Sequence, residues 1–184
     1  FFYSKIYLVN MAKNNQFLEK NDRIVRIYGY HSVKAALKNT NRRKKKLILT
    51  ESLVKSFKKY FDGKVKEVSI ISKKDFEKKY YREENNQGIV LEAYELPKIS
   101  IKTILDKANV ETYSIITMLD QVQDPQNIGS IMRSAALFGC KTIIASRNNS
   151  PDMNSTIIKS ASGGAEIVNY IKVTNLVRCI QEIK

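Results

Sequence analysis

Residues 119–139 read LDQVQDPQNIGSIMRSAALFG, the end of an apolar strand, a polar loop and the start of a helix. Ser114–Leu119 has strand character, Asp120–Gly129 forms the loop, and a helix is predicted from about Ile128 to Phe138. In that helix Ile128, Ile131, Met132, Ala135, Ala136 and Phe138 share one apolar stripe at helical spacing. Arg133 lies roughly 150° from the centre of the stripe on an ideal wheel, so it projects away from the core. Open α/β sheets bind ligands outside the carboxyl ends of their strands, which makes the loop bearing Asp120, Asp124, Asn127 and Gly129 a site candidate. Pro125 is expected to fix that loop, and Gly129 to let another backbone or a ligand come close. A guanidinium there can grip a phosphate with its planar fork; the plainer reading is a solvated helix arginine.

The pattern continues on both sides. Downstream, Lys141–Ala145 is a strand with Gly139 suited to cap the preceding helix, Ser155–Ser160 a helix, Ser162–Gly164 a small-residue turn and Ile167–Ile171 a strand. Thr174 or Asn175 then caps a helix carrying Leu176, Val177, Ile180 and Ile183. Upstream, structure is predicted to start near Ile27, with helices on Ser32–Lys38, Ser52–Phe61 and Ser72–Tyr81 alternating with strands at Leu47–Leu49, Val65–Ile71 and Gly88–Tyr94. Alternation at this spacing implies an α/β fold. Four segments follow: a lead-in over 1–26, a small α/β unit over 27–97, a linker helix over 98–112 capped by Ser100, and a second α/β unit over 113–184.

The net charge is +14, from 32 basic and 18 acidic residues, and residues 113–184 contribute only +2 of it. The front half is therefore the half suited to a polyanion, although a Lys-rich solubility charge would read the same way. The basic run Arg42, Arg43, Lys44, Lys45 and Lys46 is read as a phosphate contact, against a solvated loop. His31, beside Tyr28 and Tyr30, is read either as a core residue or as an RNA contact. Every apolar stretch is interrupted within a few positions, which argues against a membrane span. Two cysteines and one histidine cannot supply a zinc site, so no metal is expected, and a reducing, cytoplasmic compartment is. The opening FFYSKIYLVN starts with Phe and is expected to be an extension without a role in the fold.

Asp124-Pro125-Gln126-Asn127-Ile128-Gly129-Ser130-Ile131-Met132-Arg133-Ser134-Ala135 follows the pattern D-P-x-N-x-G-x-x-x-R-x-A. This resembles the first signature motif of the SpoU (TrmH-like) RNA ribose 2′-O-methyltransferases. SASGGAE at 160–166 and VTNLVRCI at 173–180 resemble the middle of the catalytic domain in the ribosomal-RNA guanosine members. IYGYHSVKAALKN at 27–39 and NQGIVLEAY at 86–94 resemble their amino-terminal substrate-binding domain.

The resemblance implies a small ribosomal-protein-like α/β RNA-binding domain, followed by a SPOUT-type, trefoil-knotted α/β catalytic domain that works as a homodimer. It implies methyl transfer from S-adenosylmethionine to an RNA ribose 2′-hydroxyl, in ribosomal RNA. Asn127 would organise the reacting region, Arg133 would act at the 2′-hydroxyl, and Glu166 would sit near the site. Because a guanidinium seldom gives up its proton, Arg133 is better read as holding phosphate and hydroxyl in geometry. The family's glycine- and glutamate-containing second motif and its Ser-Leu-Asn third motif are expected beyond Lys184, so the chain is read as truncated before the knot and its cofactor-binding residues as unknown. Asn86 stands where relatives often have His. The rival readings are a catalytically inactive RNA-binding remnant of the same ancestry and an unrelated basic, ribosome-associated α/β protein.

Overall fold

The computed structural model describes residues 23–80, 86–108 and 115–183. The amino-terminal half runs β1 (Ile24–Tyr28), α1 (Tyr30–Lys38), β2 (Lys44–Thr50), α2 (Glu51–Phe61), β3 (Glu67–Ile71), α3 (Lys73–Lys79) and β4 (Ile89–Tyr94). The rest comprises α4 (Ile101–Ala108), β5 (Ile116–Leu119), α5 (Pro125–Leu137), β6 (Thr142–Ser146), α6 (Ser155–Ser160), a 3-10 turn (Gly164–Glu166), β7 (Asn169–Val173) and α7 (Leu176–Ile183).

Local chemistry explains the helix starts. Ser72 accepts a hydrogen bond from the Asp75 amide at 3.1 Å and donates to the Asp75 carboxylate at 2.7 Å, a two-way cap for α3. Asn154 accepts from the Ile157 amide at 3.0 Å to open α6. Gly29 precedes α1 and has no side chain to offer, so the cap comes from elsewhere: Gln87 Oε1 accepts from the Tyr30 amide at 2.7 Å. Asp124 accepts from the Gln126 amide at 2.9 Å and Pro125 takes the first helical position, where its missing N–H costs nothing.

The first sheet has the order β1-β4-β2-β3, antiparallel at β1-β4 and β4-β2 and parallel at β2-β3. The second, β5-β6-β7, is parallel throughout. Alternation sorts the strand side chains. Ile48 and Val90 bury with Phe76 and Tyr80 on the α3 side, while Leu47, Leu49 and Leu91 face α1 and α2. Ile143 and Ala145 face α5 and α6, and Ile144 faces α7 with Cys179.

Several sequence expectations shift, and among them β2 begins at Lys44, three residues before Leu47, because Lys44 and Lys46 pair with β4. β1 begins at Ile24, three residues before Ile27, because its outer end pairs with Tyr94 and Ala93 rather than burying an apolar run. α5 starts at Pro125, so Asn127 belongs to its first turn and Pro125 fixes a helix rather than a loop. Phe138 leaves the predicted stripe: α5 ends at Leu137, the chain turns through Gly139 at φ +75°, and Phe138 is 80% exposed. β7 starts at Asn169, because the Ile167 and Val168 amides both donate to the Gly164 carbonyl in a last turn.

The two halves share one apolar core, in which Ile27, Val33 and Ala36 are continuous with Ile128, Met132, Ile157 and Ala165. Glycines permit the closest approaches. A Cβ on Gly129 would lie 2.4 Å from Ser160 Cβ and 2.7 Å from the Ile157 carbonyl oxygen, and one on Gly164 2.9 Å from the Met132 carbonyl oxygen. α5, α6 and the 3-10 turn thus meet backbone to backbone. Polar contacts then fix the orientation. The buried Ser32 hydroxyl donates to the Ile158 carbonyl at 3.0 Å. Arg42 Nη2 and Nε donate to the two Glu166 oxygens at 2.5 and 3.1 Å, and Arg42 Nη1 donates to the Tyr94 carbonyl at 2.9 Å. Asn39 adds a bond to Glu166 Oε2 at 2.8 Å, and the two charged side chains are only 4% and 5% exposed.

Two stability outcomes follow from this packing. Gly129→Ala is expected to cost about 1–3 kcal/mol or more, read as a lowered urea midpoint, because backbone atoms block the new methyl. Glu166→Gln or Arg42→Ala should each cost about 3–5 kcal/mol by stranding a buried charge, and removing both with Arg42→Met and Glu166→Leu should restore most of it. A double mutant as unstable as the sum of the singles would refute the coupling.

Candidate functional site

Helix α5 presents one outer face to solvent. Gln126, Asn127, Ser130, Arg133 and Ser134 are all exposed on it, opposite buried Ile128, Met132 and Ala135. Asn127 and Arg133 are six residues apart, about 9 Å along the axis and 120° around it. They share a surface without touching by necessity. Among the described residues Arg133 has no hydrogen-bond or ion-pair partner, so its five donors are available to a ligand.

Glu166 is not with them in orientation. The Gly164 backbone lies against Arg133, with a Cβ there 3.2 Å from Arg133 Cα, but the Glu166 carboxylate turns to Arg42 and Asn39. Both its oxygens are occupied and buried, an arrangement that holds structure and leaves no lone carboxylate for proton transfer.

The basic run 42–46 divides residue by residue. Arg42 is buried against Glu166 and so is withdrawn from any RNA. Lys44 donates to the Asn39 carbonyl at 2.6 Å; burial holds its ammonium below the usual lysine range, Glu166 offsets this, and Lys64 and Arg42 lower it further. Lys46 is hydrogen-bonded to Glu67, which raises its affinity for the proton. Lys45, at a register shift in β2, and Arg43, whose guanidinium stacks 4.2 Å above the Tyr94 ring, are exposed. A five-cation run therefore shows two cations to solvent, because β2 alternates and its other members meet acids or carbonyls.

His31 is exposed on α1 with its ring edge-on to Tyr30 at 5.4 Å. Beside it lies a group that the sequence reading did not single out. Lys34, Lys38 and Lys59 hold their ammonium nitrogens 5.2, 5.5 and 5.3 Å from the Tyr60 ring centre. Burial opposes ionisation of the Tyr60 phenol, yet hydrogen bonding and attraction from Lys34 and Lys59 outweigh it and bring the phenol below its ordinary range. The signal was there in Lys34 and Lys38, one turn apart on the helix face opposite buried Ser32 and Ala36, but only the fold shows that α2 adds Lys59.

A cavity of about 760 Å³ lies elsewhere, between β1, residues 95–101 and the β7 side of the second sheet, with Arg23, Lys98, Arg147 and Lys172 and the carboxylates of Glu95 and Asp152 in its wall. Among the described residues no cluster of His, Cys, Asp or Glu could hold a metal ion, and no helix is long and apolar enough to cross a membrane.

Comparison with known proteins fits this arrangement. Residues 26–98 match the model for RNA 2′-O ribose methyltransferase substrate binding, and residues 114–184 match the SpoU rRNA Methylase family. A Coxiella burnetii protein named 23S rRNA (guanosine-2′-O-)-methyltransferase RlmB is 32% identical over 161 residues, 86% of this chain and 64% of that relative. Its Ralstonia nicotianae namesake is 37% identical over 102 residues, 55% of this chain and 40% of the relative. The chain thus spans less than two thirds of the length of these curated relatives. An AdoMet-bound rRNA methyltransferase from Sinorhizobium meliloti superposes with a TM-score of 0.65 at 20% identity, over 88% of this chain and 59% of that one. The SpoU methyltransferase AviRb of Streptomyces viridochromogenes, in complex with AdoMet, gives 0.63 at 15% identity over 85% and 58%. The α/β fold, with a substrate-binding half joined to a SpoU half that carries the motif on α5, makes this chain a member of the SpoU rRNA methylase family.

Proposed function

We propose that this chain serves S-adenosylmethionine-dependent methylation of a ribose 2′-hydroxyl in ribosomal RNA, with residues 27–97 docking RNA, 98–112 linking and 113–184 bearing the catalytic face. The observation that carries this is an exposed guanidinium without an internal partner, Arg133, on the helix holding the family's first motif. Arg133 would hold an RNA phosphate and the reacting hydroxyl together, with Asn127 organising the same face; the proton leaves to the phosphate or to water. Glu166 serves by holding the two halves in register. Arg43, Lys45 and His31 are the exposed members of the expected RNA-contacting set.

S-adenosylmethionine would supply an electrophilic methyl group on a sulfonium. The cavity of about 760 Å³ fits it poorly: its wall holds Lys98 and Arg147 in addition to Arg23 and Lys172, more cations than the Glu95 and Asp152 carboxylates balance, and these repel a sulfonium. This reading therefore puts the donor outside that cavity. We further infer a homodimer, supported by Leu137 and Phe138, 78% and 80% exposed at the end of α5. The cytoplasm is the compartment where ribosomal RNA would be met, and it suits the free, buried Cys140 and Cys179. No described residue favours the inactive-remnant reading over this one.

Arg133→Lys in the intact enzyme is expected to slow single-turnover methylation of a 23S rRNA fragment by about 100-fold or more while RNA affinity stays nearly unchanged. Near-normal methylation would remove the need for a bidentate fork. For the dimer, Phe138→Asp should shift sedimentation toward monomer; an unaltered profile would move the interface elsewhere.

A further inference from the structure

Beyond the α5 face, five groups adjoin one another in a fixed spatial order. Arg133 lies against the Gly164 backbone, and Gly163 lies against α1, where a Cβ would sit 2.9 Å from Ala35 Cβ and 3.7 Å from the His31 carbonyl oxygen. His31 and Ala35 form one row on α1. Lys34 and Lys38 form the next row, about 60° around the helix. Across from them α2 brings Tyr60 and Lys59. Arg133 and the three lysines therefore lie on adjoining surfaces, although roughly a hundred residues separate them in sequence.

The lysine group is built for an anion. Three ammoniums surround one half-exposed ring, and among the described residues none of Lys34, Lys38 and Lys59 is within ion-pair reach of a carboxylate. Three like charges this close repel one another, a cost that the ring offsets in part and a bound polyanion would remove. The rings of Tyr60 and His31 stand among the cations, as in surfaces where bases stack while phosphates are neutralised. Arg42 and Lys46, in contrast, already have Glu166 and Glu67.

We propose that the RNA strand approaching Arg133 runs over the Gly163–Gly164 seam onto α1 and α2, with its phosphates among Lys34, Lys38 and Lys59 and an unpaired base against Tyr60. This rests on the RNA-methyltransferase reading and deepens it by naming the path of the substrate. The seam is wall rather than gap: Gly163, at φ +100°, packs against α1 and Gly164 against α5, so the two helices flank one short turn that a single strand can cross. An acidic protein segment would satisfy the lysines but would leave Tyr60 without a stacking partner.

The test is fluorescence anisotropy of the intact chain with a labelled single-stranded RNA 12-mer, and with poly-glutamate as the rival polyanion. The triple variant K34E/K38E/K59E should lose RNA affinity by about 30-fold or more at moderate salt, and its log–log salt slope should fall by about 2, as for three lost phosphate contacts. An equal charge reversal on a distant surface, K66E/K74E/K78E, should cost only a few-fold. Tyr60→Leu should weaken RNA about tenfold and leave poly-glutamate unaffected. Thermal melts within a few degrees of the parent confirm folding, and K34Q/K38Q/K59Q repeats the test with a gentler change. Equal losses from both triple reversals, or equal binding and loss with poly-glutamate, would overturn the path. Full RNA affinity in K34E/K38E/K59E, with methylation by the intact enzyme still abolished by Arg133→Ala, would overturn the path and spare the proposed function. A parent chain that binds no RNA would overturn both.

Discussion

The Arg42–Glu166 pair constrains everything else in the molecule. An apolar core binds its halves by area and tolerates sliding, whereas a guanidinium with three directed donors, two on one carboxylate and one on the Tyr94 carbonyl, accepts a single geometry. Both groups are nearly out of water, so each is costly without the other. Asn39 and the Ser32 contact to Ile158 fix the same orientation from neighbouring positions. The basic face of α1 consequently has a definite place beside α5. Two domains joined only by a linker would leave that relation open.

Much of the fold was legible because its determinants are local. The stripe Ile128–Met132–Ala135, the Ser72 and Ser100 caps and the alternation along β4 act within a few residues, and the elements form where those signals lie. The misreadings share a cause. The outer half of β1, Ile24–Arg26, is exposed or half-buried because an edge strand needs hydrogen-bond partners more than burial, and Phe138 satisfied helical spacing although α5 ends one residue before it. Gly29 offers no cap at all; its role passes to Gln87, a partner fifty-seven residues away that no window along the sequence could contain.

The site was legible in part, for a related reason. Arg133 stands out because helical geometry alone turns it outward, whereas Asn127 was read as a loop residue and lies in the first turn of α5, exposed on the same side. The fate of Arg42 depended on a carboxylate 124 residues away, and in the sequence it is indistinguishable from Arg43. Glu166 was placed near the site by the family resemblance alone; the glycines before it serve close packing, and the carboxylate points across the seam to the other half. A charged residue near a motif is thus ambiguous until its partner is known.

This distinction alters what the net charge of +14 means. Cations that find acids or carbonyls inside the fold, such as Arg42, Lys44 and Lys46, contribute to the far field but cannot release counterions from a nucleic acid by contact. The cations that can do so are those held near one another without acids, and their spacing is set by backbone packing rather than by their number. Lys34 and Lys38 come from one helix, Lys59 from the next, and Arg133 from a helix in the other half, brought alongside by contacts that only glycine permits at 163 and 164. Long-range attraction therefore belongs to composition, while the placement of an anion relative to Arg133 belongs to the seam. A substitution there that preserves every charge would still change where a phosphate comes to rest.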